Sequence, residues 1–271
     1  MTRLEIDNPF GAPVYHEETV ASTMDVCKLL AKGNAPHGTV VCADFQEAGK
    51  CRVPGRVWET GARDSLLFTV LFRFPGVREI PVALSLRTGL AVALGIEDFV
   101  PALAGLTEIK WPNDIMLPVF AEGGVYRKTA GVLVEAEGGI VRVGVGMNVL
   151  RREFPPDLRE RATSVALASG IEIGEGQRFA LLERILHRIH AEFETAGAAD
   201  DWRNRMEARL YMKGEKAIFA EGRADSAVEF EAVILGLEND GRLLVARDGI
   251  AEPRALVAGE QITVRRGRPN I

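Results

Sequence analysis

Three pieces of one stretch decide how this chain reads: IKWPNDIML at 109–117, RKTAGVLVEAEGG at 127–139 and VRVGVGMNV at 141–149. Apolar and polar residues alternate up to Lys110-Trp111-Pro112-Asn113-Asp114, and two further strand-like runs, 131–137 and 140–149, lie on either side of a Gly138-Gly139 turn. Proline brings no N–H to a ladder, so the first strand is expected to stop at Pro112 and to present Asn113 and Asp114 from a loop. Lys128 is expected just ahead of the next strand. The pattern is a sheet with polar groups gathered at its strand ends, where chemistry is commonly carried.

Upstream, a short helix is expected over 23–31, with Val26, Leu29 and Leu30 on one face and Ser22 as its N-cap. A β-branched run at 39–45 ends in Gln46-Glu47-Ala48-Gly49, and another strand is expected over 65–72. Between them lies Gly49-Lys50-Cys51-Arg52-Val53-Pro54-Gly55-Arg56-Val57-Trp58. Glycines there let backbone amides approach an anion, and the cations can neutralise phosphate. The run 80–99 is small or apolar nearly all round, as a helix buried on a sheet would be, with Leu84, Thr88, Ala91 and Gly95 on one stripe. Strand, helix, strand and hairpin in that order suit a mixed sheet, and neither a dinucleotide-binding nor a P-loop fingerprint occurs.

Downstream, Leu182, Leu186, Ile189 and Phe193 recur at helical spacing over 179–193, and a last helix is expected at 202–211. From Lys213 the texture changes to short alternating strands at 216–220, 228–237, 242–246 and 261–265, punctuated by Asn239-Asp240-Gly241, Asp248-Gly249 and Gly259-Glu260. That is the signal of a small β-barrel. The expected fold class is α+β: a mixed-sheet unit flanked by helices over 1–211, and a small β unit over 212–271.

Hydrophobic residues make up 47% and charged residues 26% of the 271, the balance of a soluble globule, and a net charge of −5 supplies no overall basic field for nucleic acid. No window reaches the roughly 18 apolar residues that a membrane span needs. Cys27, Cys42 and Cys51 show neither metal-ligand nor disulfide spacing, and the N-terminus lacks a signal-peptide pattern, so a reducing, cytoplasmic setting is expected. His187 and His190 stand three apart, a spacing that one helix face commonly carries without a metal.

Taken together, Lys110-Trp111-Pro112-Asn113-Asp114, the run from Arg127-Lys128 through Gly131 to Glu135, and Gly144-Val145-Gly146-Met147-Asn148-Val149 resemble the catalytic core of biotin protein ligases. Ser22-Thr23, Ala162-Thr163-Ser164 and, in the carboxyl-terminal unit, the run from Gly236 to Val245 extend the likeness. The loop at 49–58 resembles the family's Gly-Arg-Gly-Arg-x-Gly-Arg-x-Trp with three departures. Lys50 stands for the first arginine, Cys51 for the second glycine, and Val53-Pro54 lengthen the loop by one residue, while Arg52, Gly55, Arg56 and Trp58 match.

The resemblance implies a class II synthetase-like biotin/lipoate ligase fold with an SH3-like carboxyl-terminal barrel. It implies an ATP-dependent enzyme that makes biotinyl-5'-AMP and passes biotin to a lysine of a biotin carboxyl carrier domain, with biotin, ATP and magnesium as ligands. It assigns Lys128, Arg52 and Asp114 to catalysis, and Asp114 either to magnesium or to the proton of the attacking amine. Ser22, Thr23 and Gln46 would bind the ureido ring, the loop residues Gly49, Lys50, Gly55 and Arg56 would attend the phosphate, and Trp58 would cover the adenine. Lys110, Asn113, Gly131, Gly144 and Asn148 would shape the pocket, with Trp111 reading first as packing. A lipoyl or octanoyl ligase or transferase shares this fold, and the altered 50–54 loop leaves open a biotin-binding relative that no longer forms an adenylate. About twenty residues precede Ser22, too few for a helix-turn-helix, so neither a repressor role nor a nucleic-acid or membrane partner is expected; a homodimer is left open.

Overall fold

The computed structural model describes residues 1–53, 57–195, 201–221, 228–257 and 261–263. The chain runs through β1 (Thr2–Leu4), β2 (Val14–Val20), α1 (Thr23–Lys32), β3 (Val40–Gln46), β4 (Ser65–Arg73), α2 (Leu84–Phe99), β5 (Glu108–Lys110), β6 (Asp114–Val119), β7 (Val125–Glu137) and β8 (Ile140–Asn148). These eight strands form one sheet in the order β1-β2-β3-β4-β8-β7-β6-β5, antiparallel except for β2 and β3, which α1 connects as parallel neighbours. After it come α3 (Val165–Ser169), α4 (Gln177–His190) and α5 (Trp202–Glu207). A second, antiparallel sheet closes the chain: β9 (Lys216–Glu221), β10 (Val228–Leu237), β11 (Leu243–Ala246), β12 (Arg254–Leu256) and β13 (Gln261–Thr263), in the order β12-β11-β10-β9-β13.

β4 shows almost no alternation because both of its faces are covered. On one side α1 lays Cys27 and Ala31 over Val41 and Leu71, and on the other α2 and α4 bring Leu90, Ile96 and Ile185 into the core that holds Phe68, Val70 and Phe72. Each such side chain contributes about 1.5–3 kcal/mol when fully buried. The stripe through Gly95 has a steric reason: a β-carbon there would lie 2.6 Å from Ile185 Cγ1 and 3.0 Å from its Cα, so the missing side chain lets α4 rest on α2.

Where the structure departs from the sequence reading, the causes are local. The strand does not give way to a loop after Pro112. Lys110 pairs with Asp114 across a tight turn, and Ile115, Met116 and Leu117 are buried and laddered at once, so Asp114 opens β6 and Lys128 lies inside β7. The helix expected from residue 80 starts at Leu84, after Pro81 and a left-handed Ala83 (φ +54). The helix expected over 179–193 begins at Gln177 and ends in a π-helical turn, Ala191–Thr195, and the last helix stops at Glu207. β1, β2 and β12 were not legible as strands. The last expected strand ends at Thr263 among the described residues; residues 264 and 265 lie outside them.

The segment joining the two sheets seals the β5 edge. Ile109 N–H donates to Arg209 O (2.7 Å), Tyr211 N–H donates to Ile109 O (3.0 Å), and the Arg209 guanidinium is anchored on Glu97 and Thr107. Among the described residues no helix is long and apolar enough to cross a membrane.

Candidate active site

A β-bulge sets the site. Ile115 pairs with Ala130 but Met116 pairs with Lys128, so Thr129 is the extra residue on β7. In an unbroken strand residues 128 and 131 would face opposite sides; the bulge puts them on one. A β-carbon on Gly131 would accordingly lie 3.3 Å from Lys128 Nζ and 3.5 Å from Asp114 Oδ1, and the Lys128 ammonium stands 2.7 Å from that carboxylate oxygen. The backbone of Lys128 is held from outside the sheet as well, its N–H donating to Arg161 O and its carbonyl accepting from Thr163 N–H, both at 2.9 Å. The paired segment is Arg161-Ala162-Thr163, with Ala162 opposite Lys128. Asn148 completes the brace, Nδ2 donating to Thr163 O (3.1 Å) while its own carbonyl accepts from Thr129 Oγ1 (3.3 Å).

Three glycines run across the same face: Gly131 is the cross-strand partner of Gly146, and Gly144 lies two residues further along β8. Each vacated position is taken by a side chain from elsewhere. A β-carbon on Gly144 would meet Met24 Sδ at 2.8 Å, and one on Gly146 would meet Trp58 Cε2 at 2.8 Å. Gly131 and Gly144, expected to shape the pocket, do so by making room for Lys128, Asp114 and Met24. The Trp58 indole lies over Lys128, with Nζ 5.3 Å from the ring centroid, a cation–π geometry.

The loop carrying Trp58 is closed at its base. Trp58 N–H donates to Gly49 O (2.9 Å), and Lys50 bridges Val57. Gly49 sits at that base, behind the cavity wall. The Lys50 ammonium is paired with Asp25 and lies 3.9 Å from Glu135. Gly55 and Arg56 lie outside the described residues.

At the other end stands a buried relay. Thr69 Oγ1 donates to Thr23 Oγ1 (2.9 Å), which donates to Gln46 Oε1 (2.9 Å), and Thr23 N–H donates to the same oxygen (2.7 Å). A backbone N–H can only donate, so it fixes the amide: Gln46 must turn its oxygen to Thr23 and present its NH₂ elsewhere. Ser22 caps α1 beside it, its Oγ accepting from Met24 N–H (3.3 Å).

These features surround a cavity of about 990 Å³, enough for a drug-sized ligand and more. Of the expected residues, Ser22, Thr23, Gln46, Lys50, Arg52 and Trp58 line it from the first half of the sheet. Lys110, Trp111, Asn113, Asp114, Lys128, Gly131, Gly144 and Asn148 do so from the second. Burial pushes the Lys110 ammonium below its ordinary pKa; Asp114 opposes this, while Lys128 and Arg161 add to it. Asn113 acts on the backbone, its Nδ2 donating to Val132 O and its carbonyl accepting from Val132 N–H, both at 2.9 Å. Trp111 is buried, with its indole N–H on Gly241 O.

Sequence reasoning missed Met24, Gly146, Tyr126, Arg151, Arg161 and Tyr211, which also line the cavity. Gly146 could have been found, since it repeats Gly144 at strand period; Arg161 and Tyr211 carry no local signal. Among the described residues no group of three or more His, Cys, Asp or Glu is placed to hold a metal by itself.

No family model matches the chain. The biotin–[acetyl-CoA-carboxylase] ligase of Paracoccus denitrificans is 32% identical over 215 residues, 76% of this chain and 82% of that protein. The ligase of the same name from Mycobacterium tuberculosis is 32% identical over 191 residues, 69% of this chain and 64% of its own length. The bifunctional ligase/repressor BirA of Bacillus subtilis is 36% identical over 181 residues, 64% of this chain and 51% of BirA. The chain spans about half the length of the Bacillus relatives it matches. Among solved structures, the biotin protein ligase of Aquifex aeolicus in complex with biotin and ATP superposes with a TM-score of 0.73 at 23% identity, covering 93% of this chain and 98% of that one. The fold is that of the biotin protein ligases. The chain belongs to the biotin–[acetyl-CoA-carboxylase] ligase family.

Proposed function

We propose that the chain is an ATP-dependent biotin protein ligase of the cytoplasm, with residues 1–211 as its catalytic unit and 212–271 as its carboxyl-terminal unit. A biotin carboxylate oxygen attacks the α-phosphorus of ATP, the bond from that phosphorus to the bridging oxygen breaks, and pyrophosphate leaves. A lysine of a biotin carboxyl carrier domain, as the free amine, then attacks the carbonyl of biotinyl-5'-AMP, loses its proton and displaces AMP.

The observation that carries this reading is the bulge-set Lys128–Asp114 pair, lining one cavity with Thr23 and Gln46, which Thr69 backs from behind. The relay offers an oriented amide to a polar head group, and Lys128 offers a fixed cation where carboxylate and phosphate charge would meet. Such preorganised donors act most strongly in a partly dry site. Arg52, on the cavity wall, is the second cation for the phosphate. Magnesium fits Asp114 as the single carboxylate that it commonly takes when phosphate oxygens and water complete its shell. The alternative role for the same carboxylate is to accept the proton of the attacking amine.

The test is pyrophosphate release by the purified protein with ATP and magnesium, with biotin, lipoate and octanoate compared, and with Lys128→Ala. Release with biotin alone, falling on the order of 10²–10³-fold in the variant, is the expected result. Release with lipoate or octanoate instead would move the chain to the lipoyl branch. A second reading, a biotin-binding protein without turnover, is favoured by the pairing of Lys50 with Asp25 and Glu135, which already satisfies that ammonium. Calorimetric biotin binding without pyrophosphate release would select it.

A further inference from the structure

One residue that lines the cavity, Trp111, reaches from it to the carboxyl-terminal sheet. Trp111 Nε1 donates to Gly241 O at 2.9 Å, across 130 residues of chain, and the indole is only 3% exposed. Gly241 lies in the β10–β11 turn at φ +85, and a β-carbon there would stand 2.6 Å from Ala83 Cβ and 3.3 Å from Leu86 Cδ1. The turn is thus wedged against the start of α2 with its carbonyl on the indole. Trp111 opens the turn whose two ends, Lys110 and Asp114, are direct β5–β6 partners, and Asp114 is the residue that holds Lys128. The same unit is secured beside it by Glu207, whose Oε1 accepts from Leu237 N–H at 2.9 Å.

We propose that Trp111 is a positioning residue: its indole N–H, seated on the Gly241 carbonyl, makes the carboxyl-terminal sheet part of what aims Asp114 at Lys128. The activity readout rests on the ligase reading; the contact itself is tested without it.

Three variants of the intact chain separate positioning from mere stability. Trp111→Phe keeps a ring and removes the donor. Gly241→Ala keeps the donor and forces the acceptor off Ala83. Gly249→Ala strains another left-handed turn of the same sheet (φ +75), where nothing lies within 4 Å. With biotin, ATP and magnesium, the first two are each expected to lower kcat for pyrophosphate release on the order of tenfold, as small misplacements of reacting groups do. KM for biotin stays unchanged, and the double variant falls no further than either single, because both break one contact. Gly249→Ala keeps the wild-type kcat. Independently, the ¹⁵N-labelled indole N–H of Trp111 is protected from exchange in the wild type and exposed in Gly241→Ala.

A Trp111→Phe protein with full kcat, losses that multiply in the double variant, or an unprotected wild-type indole N–H each overturns the inference while leaving a working ligase intact. A wild type that releases no pyrophosphate with any acid overturns the functional reading instead, and indole protection then decides the contact alone. If Gly241→Ala does not fold, the Trp111→Phe kcat and the wild-type protection still decide.

Discussion

The indole of Trp58 occupies the space that a side chain on Gly146 would need; a β-carbon there would stand 2.8 Å from Cε2 and 3.0 Å from Cδ2. Gly146→Ala is therefore expected to push the ring off Lys128, giving a red-shifted tryptophan emission and a KM for ATP raised about fivefold, the scale of one cation–π contact and its shielding. Unchanged emission would place the indole elsewhere.

Gly131 poses the complementary case. A β-carbon there would touch the far end of a flexible lysine at 3.3 Å, a contact that moves the functional atom at little cost to the fold. Gly131→Ala is expected to lower kcat about tenfold while changing stability by less than about 1 kcal/mol. Paired kinetics and urea unfolding check both halves; a drop in stability with kcat preserved would contradict the placement of Lys128.

Lys128 also shows what a sequence can and cannot disclose. The turn at Gly138-Gly139 is a local signal and could be read, but the strand end expected at Lys128 is absent, because β7 already begins at Val125. The bulge at Thr129 could not be read, since neither glycine nor proline marks it and only pairing with β6 reveals it. Trp111 was legible as packing, but its partner Gly241 is 130 residues away. β2 went unread because His16-Glu17-Glu18 interrupt its alternation near the rim of the sheet, where side chains meet solvent or ions such as Asp44. The stripe through Gly95 was read correctly as buried, though its partner Ile185 comes from tertiary structure alone.

Removing the middle hydroxyl of the relay tests the head-group end. Thr23→Val leaves Thr69 Oγ1 without its acceptor and Gln46 with one donor fewer, in a buried setting. An orphaned buried polar group costs about 1–3 kcal/mol. Biotin affinity by calorimetry is expected to fall roughly tenfold, with kcat at saturation little changed. Equal affinity would remove the relay from the binding site.

Asp44 governs an acid-sensitive contact away from the cavity. Burial alone would raise its carboxyl, but the hydrogen bond from Arg178 (2.9 Å) and the His16 ring nitrogen close by (3.2 Å), with their charges, bring it below the ordinary range. A folded value below the unfolded one means that the stabilisation is complete above the unfolded pKa, about 3.9. It is lost as pH falls through the folded value. Arg178→Leu leaves the carboxylate to His16 and the more exposed Arg63 and is expected to cost about 1.5–3 kcal/mol at pH 7, the scale of one hydrogen bond to a charged group. The deficit should shrink as pH falls below about 4, where Asp44 takes up a proton. Urea unfolding at both pH values gives the difference, and a pH-independent deficit would refute the assignment.

Thiol reactivity should divide the cysteines. Burial pushes Cys27 and Cys42 up to about 12, and both are almost fully covered, whereas Cys51 is partly exposed on the cavity wall. One thiol is expected to react with a disulfide reagent at pH 8 in the folded protein and three in denaturant, with ATP slowing the first. Prompt reaction of a second thiol in the folded state would contradict the burial of Cys27 between α1 and the sheet or that of Cys42 in the core on the opposite face.

The strip of backbone from Arg209 to Tyr211 that lies along Ile109 has a consequence for assembly. An eight-stranded sheet ordinarily has two free margins, each a template for another chain. Here one is already occupied by the protein itself, which leaves the margin at β1, three residues long. A template open on one side can be used once. Among the described residues, two copies that meet through this sheet therefore meet edge to like edge about a twofold axis, and growth along the sheet ends there.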